Sequence, residues 1–136
     1  MLKHPKLAIF IIEDDPYFGT LLSDKLRNMY DLKMYIYENG EDCIKNLYLN
    51  PDIILLDHLL PGMDGIKTLQ EIKKKAPDMS VVFVSAQTSA EIAARSIQYG
   101  AMDYITKDRG SLQKVIDLIA DKVLKYKDDK TSDYNL

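Results

Sequence analysis

The chain is short of cysteine, of long apolar runs and of positive charge, and each shortage excludes something. A single cysteine, Cys43, rules out an internal disulfide framework and any zinc site built from several thiolates. Cys43 sits in a helical pattern and reads as a small buried apolar group rather than a nucleophile. The N-terminal stretch "MLKHPKLAIFII" carries too short an apolar run for a signal peptide or a spanning helix. The expected location is the cytoplasm, with no membrane contact. A net charge of −3 and a pI near 5.3 argue against a nucleic-acid surface covering the domain, though not against a small basic patch. Internal repeats and low-complexity blocks are absent too. What remains is an ordinary globular balance: 136 residues, 46% hydrophobic and 29% charged, enough for one domain with a real core.

Two periodicities alternate along the chain. Leu7–Ile12 "LAIFII", Ile53–Leu56 "IILL" and Val81–Val84 "VVFV" are short, continuous apolar runs, as expected of strands buried on both faces of a parallel sheet. Lys33–Tyr37 "KMYIY" and Asp103–Thr106 "DYIT" are weaker strand candidates. Helical patterns fill the gaps. Pro16 suits a first helical position behind an Asp15 cap, with Tyr17, Leu21, Leu22 and Leu26 at helical spacing. A shorter helix is expected over Gly40–Leu49. Asp64 caps a helix running to Lys75, with Ile66, Leu69 and Ile72 inward. Thr88-x-x-Glu91 forms a capping box for a helix that stops before Gly100. Ser111 opens a last helix whose stripe is Leu112, Val115, Ile116, Ile119 and Val123. The domain is therefore expected over residues 1–126, with a polar, disordered tail over 127–136. Five βα units with right-handed crossovers give an α/β fold, a doubly wound parallel sheet with helices on both faces. Ligands of such sheets bind outside the carboxyl ends of the strands.

Those carboxyl ends collect an unusual set. Glu13, Asp14 and Asp15 follow the first strand, Asp57 the third, Ser85 the fourth and Lys107 the fifth. Carboxylates crowded on one rim raise each other's pKa unless a cation intervenes. Oxygen donors without histidine or thiol favour a hard divalent ion, magnesium before calcium or zinc. A lysine and a hydroxyl beside them suit a clamped phosphoryl group, toward which a carboxylate can act as nucleophile. Taken singly, each residue has a plainer account as a helix cap, a solvated lysine or a turn serine. Their joint placement, in order, favours the phosphoryl site.

"IFIIEDDP", "DIILLDHLLPGMDG", "VVFVSA" and "GAMDYITK" together resemble the receiver domain of two-component response regulators, over about residues 6–124. The segment Asp57-x-x-Leu60-Pro61-x-Met63-Asp64-Gly65 is similar to the family's phosphoacceptor loop almost throughout. The resemblance implies a flavodoxin-like fold with strand order 2-1-3-4-5. It implies that Asp57 takes a phosphoryl group from a histidine kinase or histidine phosphotransfer protein. Glu13 and Asp14 match the acidic pair that holds Mg2+, with Asp57 and the main-chain carbonyl of Leu59 completing the metal site; Asp15 is left as the helix cap. Ser85 and the amide of Ala86 match the groups that follow the phosphoryl oxygens, Lys107 the phosphate-pairing lysine, and Tyr104 the aromatic that swings between exposed and buried positions. Output would pass to a downstream protein through the face of the fourth helix, fifth strand and fifth helix, and a phosphorylation-dependent homodimer is compatible with that. The only chemistry implied is the chain's own phosphorylation and slow autodephosphorylation.

Some positions depart from the family pattern or stay open. Asp108 follows Lys107 where the family usually has proline, which puts the usual cis peptide in doubt and suggests a looser loop. Leu59 and Gln87 stand at positions that tune phosphoryl lifetime in the family, and apolar Leu59 favours slow self-hydrolysis. His58 adjoins Asp57, but strand alternation sends its side chain away from the acids, giving it a structural role. No output module is visible, so the chain is a stand-alone regulator or a fragment of a longer one. Three rivals remain. An aspartate-nucleophile phosphatase wants a general acid two residues after the nucleophile, where this chain has Leu59. A scaffold that never accepts phosphate would not need the Glu13, Asp14, Asp57, Ser85 and Lys107 set. A flavodoxin would want a phosphate-binding loop after the first strand, where this chain has acids.

Overall fold

The computed structural model describes residues 7–86 and 89–134, with side chains described through residue 126. In chain order the elements are β1 (Leu7–Ile12), α1 (Pro16–Met29), β2 (Leu32–Tyr37), α2 (Gly40–Lys45), a 3-10 turn (Leu47–Leu49), β3 (Ile53–Leu56), α3 (Gly65–Lys75), β4 (Val81–Ser85), α4 (Ala90–Gln98), β5 (Asp103–Thr106) and α5 (Ser111–Tyr134). The strands form one parallel sheet in the order β2-β1-β3-β4-β5. This is the doubly wound, flavodoxin-like arrangement expected from the sequence.

The pleat of the central strands divides the core. Ile9, Ile11, Leu55, Val82 and Val84 pack with Leu22 and Leu26 of α1 and Val115, Ile116, Ile119 and Val123 of α5. Phe10, Ile12, Ile54, Leu56 and Phe83 pack with Cys43 of α2 and Ile66, Leu69 and Ile72 of α3. Each strand feeds both clusters, which is why β1, β3 and β4 read as unbroken apolar runs. Burying one Leu or Ile contributes about 1.5–3 kcal/mol, so these two layers dominate the favourable side of folding. Cys43 is fully buried and burial pushes its thiol up to about 12, so it packs as an apolar group.

Several local expectations are corrected. Of the α1 residues expected at helical spacing, Leu22 and Leu26 are buried, but Tyr17 and Leu21 are exposed, and Gly19 and Ser23 complete the buried stripe. The helix expected over Gly40–Leu49 breaks after Lys45. There Asn46 donates from its side chain to the Asp42 carbonyl at 2.7 Å and leaves helical geometry. The cap of α4 is Ser89, whose hydroxyl accepts the Ile92 amide at 3.3 Å; Thr88, like Gln87, lies outside the described residues. The backbone of α5 continues past residue 126 to Tyr134, through a stretch with neither glycine nor proline to stop it. Asp15 and Asp64 do cap α1 and α3, accepting the amides of Tyr17 and Lys67 at 3.0 and 2.8 Å. No described helix is long and apolar enough to cross a membrane.

Candidate functional site

Hydrogen bonds that run one residue past the strand ends assemble the site. The Glu13 amide donates to the Tyr37 carbonyl at 2.9 Å, the Asp57 amide to Ile12 at 3.0 Å, and the Lys107 amide to Ser85 at 2.8 Å. The ladder thus fixes three charged residues on one rim. Carboxylate oxygens of Glu13, Asp14 and Asp57 lie within 4.8 Å of one another. Glu13 and Asp57 are buried, and Asp14 is exposed.

Lys107 is the counter-charge. Its Nζ lies 2.6 Å from Glu13 Oε2 and 3.3 Å from Asp57 Oδ2. The same ammonium stands 4.6 Å from the centre of the Phe18 ring, a cation–π contact that helps hold it over the acids. Burial pushes the Glu13 carboxyl up to about 7, reinforced by the charge of Asp57; the hydrogen bond from Lys107 pulls the other way without overcoming it. Three carboxylates and one ammonium leave two negative charges when all are ionised. The donors are all oxygens. That charge and donor set fit a hard divalent cation such as Mg2+.

Asp57 is further fixed by its neighbours. Its Oδ1 accepts the His58 amide at 2.7 Å. Gly65 crosses directly over the Asp57 carbonyl, where any Cβ would overlap that oxygen and the His58 Cα. The Gly65 amide donates to the His58 carbonyl at 2.9 Å, closing the loop. His58 turns away from the acids, as alternation requires. Its ring lies 6.3 Å from that of Phe83, and its Nδ1 is buried with no hydrogen-bond partner among the described residues.

The remaining expected residues frame this cluster. Ser85 is fully buried at the last position of β4, paired in register with Thr106. Ala86 follows it and is exposed. Leu59 is 52% exposed on the β3–α3 loop. Tyr104 is half-buried on β5, stacked on Phe83 with ring centres 6.0 Å apart and planes at 19°. Direct contacts therefore unite Glu13, Asp57 and Lys107, with an Asp14 carboxylate oxygen within 4.8 Å of the two buried acids, while Tyr104 belongs to the aromatic layer with Phe83. The Lys107–Asp108 peptide is trans. Asp108 closes the turn into α5: its Oδ1 accepts the Gly110 amide at 2.9 Å and its carbonyl accepts the Ser111 hydroxyl at 2.8 Å. Phe18 and Phe83 were not singled out in the sequence, since each looks there like an ordinary core aromatic.

Comparison with known proteins agrees with this geometry. Residues 9–119 match the family model described as response regulator receiver domain. The chain is 34% identical over 133 residues to protein-glutamate methylesterase/protein-glutamine glutaminase 2 of Methanosarcina mazei, covering 89% of this chain and 35% of that protein. It is 37% identical over 101 residues to the probable C4-dicarboxylate response regulator DctR of Bacillus subtilis, covering 73% and 45%. The chain thus spans under half the length of these curated relatives. Among solved structures, the response regulator domain of Thermotoga maritima CheB superposes with a TM-score of 0.74 at 27% identity, over 90% of this chain and 96% of that one. The Mn2+-bound form of response regulator Rcp1 gives 0.70 at 28% identity, over 77% and 83%.

Proposed function

The chain belongs to the response regulator receiver domain family, and from that membership we propose that it is a two-component signalling receiver whose Asp57 accepts a phosphoryl group from a histidine kinase or phosphotransfer protein. The observation that carries this reading is the Lys107 ammonium lying 2.6 Å from Glu13 and 3.3 Å from Asp57 on the strand-end rim. A half-buried cation held between two buried acids suits a site that must take in further negative charge.

Asp57 is poised as the nucleophile. The His58 amide fixes its carboxylate from one side and Lys107 faces it from the other. In the transfer an Asp57 oxygen bonds to phosphorus as the donor's phosphorus–nitrogen bond breaks, and the electron pair returns to the imidazole nitrogen. Lys107, the Ser85 hydroxyl and the Ala86 amide then serve the phosphoryl oxygens. Glu13, Asp14, Asp57 and the Leu59 carbonyl would hold Mg2+, which when bound offsets the charge of the incoming group. The related Rcp1, crystallised with Mn2+, supports a cation of this oxygen-preferring class.

The acyl phosphate adds charge and acceptor oxygens at the end of β4. Tyr104, layered on Phe83 of the same strand, is the side chain we assign to the response. The α4–β5–α5 face that flanks it would carry the signal to a downstream protein or a second copy of the chain. Exposed, apolar Leu59 offers no group to orient an attacking water, so dephosphorylation is slow. Catalysis is confined to the chain's own phosphoryl chemistry.

Beryllofluoride, added with and without Mg2+ and followed by tyrosine fluorescence, tests this reading. A saturable response that needs both Mg2+ and Asp57 is expected. No response, or one retained in Asp57→Asn, would overturn it.

A further inference from the structure

The loop between β3 and α3 is tied to α2 by a contact outside the acidic cluster. Glu41, in the first turn of α2, accepts the backbone amide of Met63 on its Oε1 at 2.8 Å, across 22 positions of sequence. The preceding residue, Gly62, has φ +73°, and a Cβ built there would stand 3.0 Å from the same Oε1. The carboxylate therefore fills the inside of a left-handed turn that has no side chain of its own. The end of the loop is fixed locally, by the Gly65 amide on His58 and the Asp64 cap on Lys67. Its apex is fixed from α2. Complementation of the α2 dipole accounts for an acid in that turn, but it does not require a bond to Met63. A charge-assisted hydrogen bond from an amide to a carboxylate is shorter and stronger than a neutral one, so this tether resists loop movement.

We propose that Glu41 is a positioning residue for the phosphoacceptor loop, holding residues 59–63, and with them the Leu59 main chain, in place relative to Asp57. Its consequence for cation binding rests on the function proposed above. The tether itself does not.

Glu41→Ala removes the acceptor, and Glu41→Gln keeps one oxygen in place. Amide hydrogen exchange at Met63 in the metal-free protein reads the tether. Mg2+ titration reads its effect on the site. In Glu41→Ala, Met63 exchange is expected to quicken about tenfold and Mg2+ affinity to fall about fivefold, whereas Glu41→Gln stays within about twofold on both. A purely structural role would instead lower the urea midpoint and leave Mg2+ affinity unchanged, which would overturn the proposal. Unchanged Met63 exchange in Glu41→Ala would also overturn it. If the wild-type protein bound no Mg2+, the proposed function would fail, while Met63 exchange would still decide whether Glu41 holds the loop.

Discussion

Lys107 sits closer to Glu13 than to Asp57, at 2.6 Å against 3.3 Å. The ammonium thus occupies the space between two buried acids and competes there with any divalent cation. Lys107→Met removes that competitor and should raise Mg2+ affinity about tenfold, because unit charges about 4 Å apart interact by roughly 4 kcal/mol at an effective dielectric near 20, an upper bound. Phosphoryl transfer should fall in the same variant. Mg2+ titration of the variant checks the first point, and weaker binding would contradict it.

The Glu13 carboxyl, pushed by burial to about 7 from an ordinary 4.5, sets a pH dependence in metal-free protein. Below about 4.5 the group is protonated folded or unfolded, and its favourable contribution is fully present. As pH rises from there through about 7, the unfolded chain gives up the proton first, so that contribution is progressively lost. Urea unfolding of wild type and Glu13→Gln in EDTA should therefore differ in slope across this window, with the variant flatter. By the same linkage Mg2+ binding near pH 6.5 releases a proton, which calorimetry in buffers of different ionisation enthalpy would register.

Gly65→Ala sets two magnitudes against each other. Helix propensity favours alanine in a helix interior by about 1 kcal/mol. The added Cβ would overlap the Asp57 carbonyl and the His58 Cα, both backbone atoms unable to move without displacing the loop. The overlap should win, with a net loss of about 2 kcal/mol or more in urea unfolding and weakened Mg2+ binding. A stabilised variant would show that the crossing is looser than described.

His58 Nδ1 is buried with no hydrogen-bond partner among the described residues, and the ring lies beside that of Phe83. Replacing an unsatisfied buried polar group by an apolar one is nearly neutral or stabilising. His58→Leu should therefore change the unfolding free energy by less than about 1 kcal/mol, whereas Phe83→Ala, which opens the layer shared with Tyr104, should cost about 3–5 kcal/mol. A large loss in His58→Leu would mean that the imidazole has a partner after all.

Much of this was legible in the sequence because strand ends and chemistry coincide. The bounds of β1 and β3 are read directly from apolar runs that stop at Glu13 and Asp57, and those of β5 from the weaker pattern "DYIT" that stops at Lys107. The parallel register then brings Glu13, Asp57 and Lys107 together without further information. Other features depend on partners far along the chain. Tyr17 and Leu21 match the same helical spacing as Leu22 and Leu26, but the helix buries Gly19 and Ser23 beside the two leucines and leaves Tyr17 and Leu21 exposed. Asn46 gives little sign that its side chain will take a helix carbonyl. Glu41 looks like any acid in a first helical turn, and only the fold places Met63 opposite it. Phe18 under Lys107 is likewise set by tertiary packing.

Intact mass after incubation with acetyl phosphate is the sharpest test of Asp57 as the phosphoacceptor. One added phosphoryl group is expected in Mg2+, none in EDTA and none in Asp57→Asn under either condition. An adduct that forms without Mg2+, or that persists in Asp57→Asn, would contradict it.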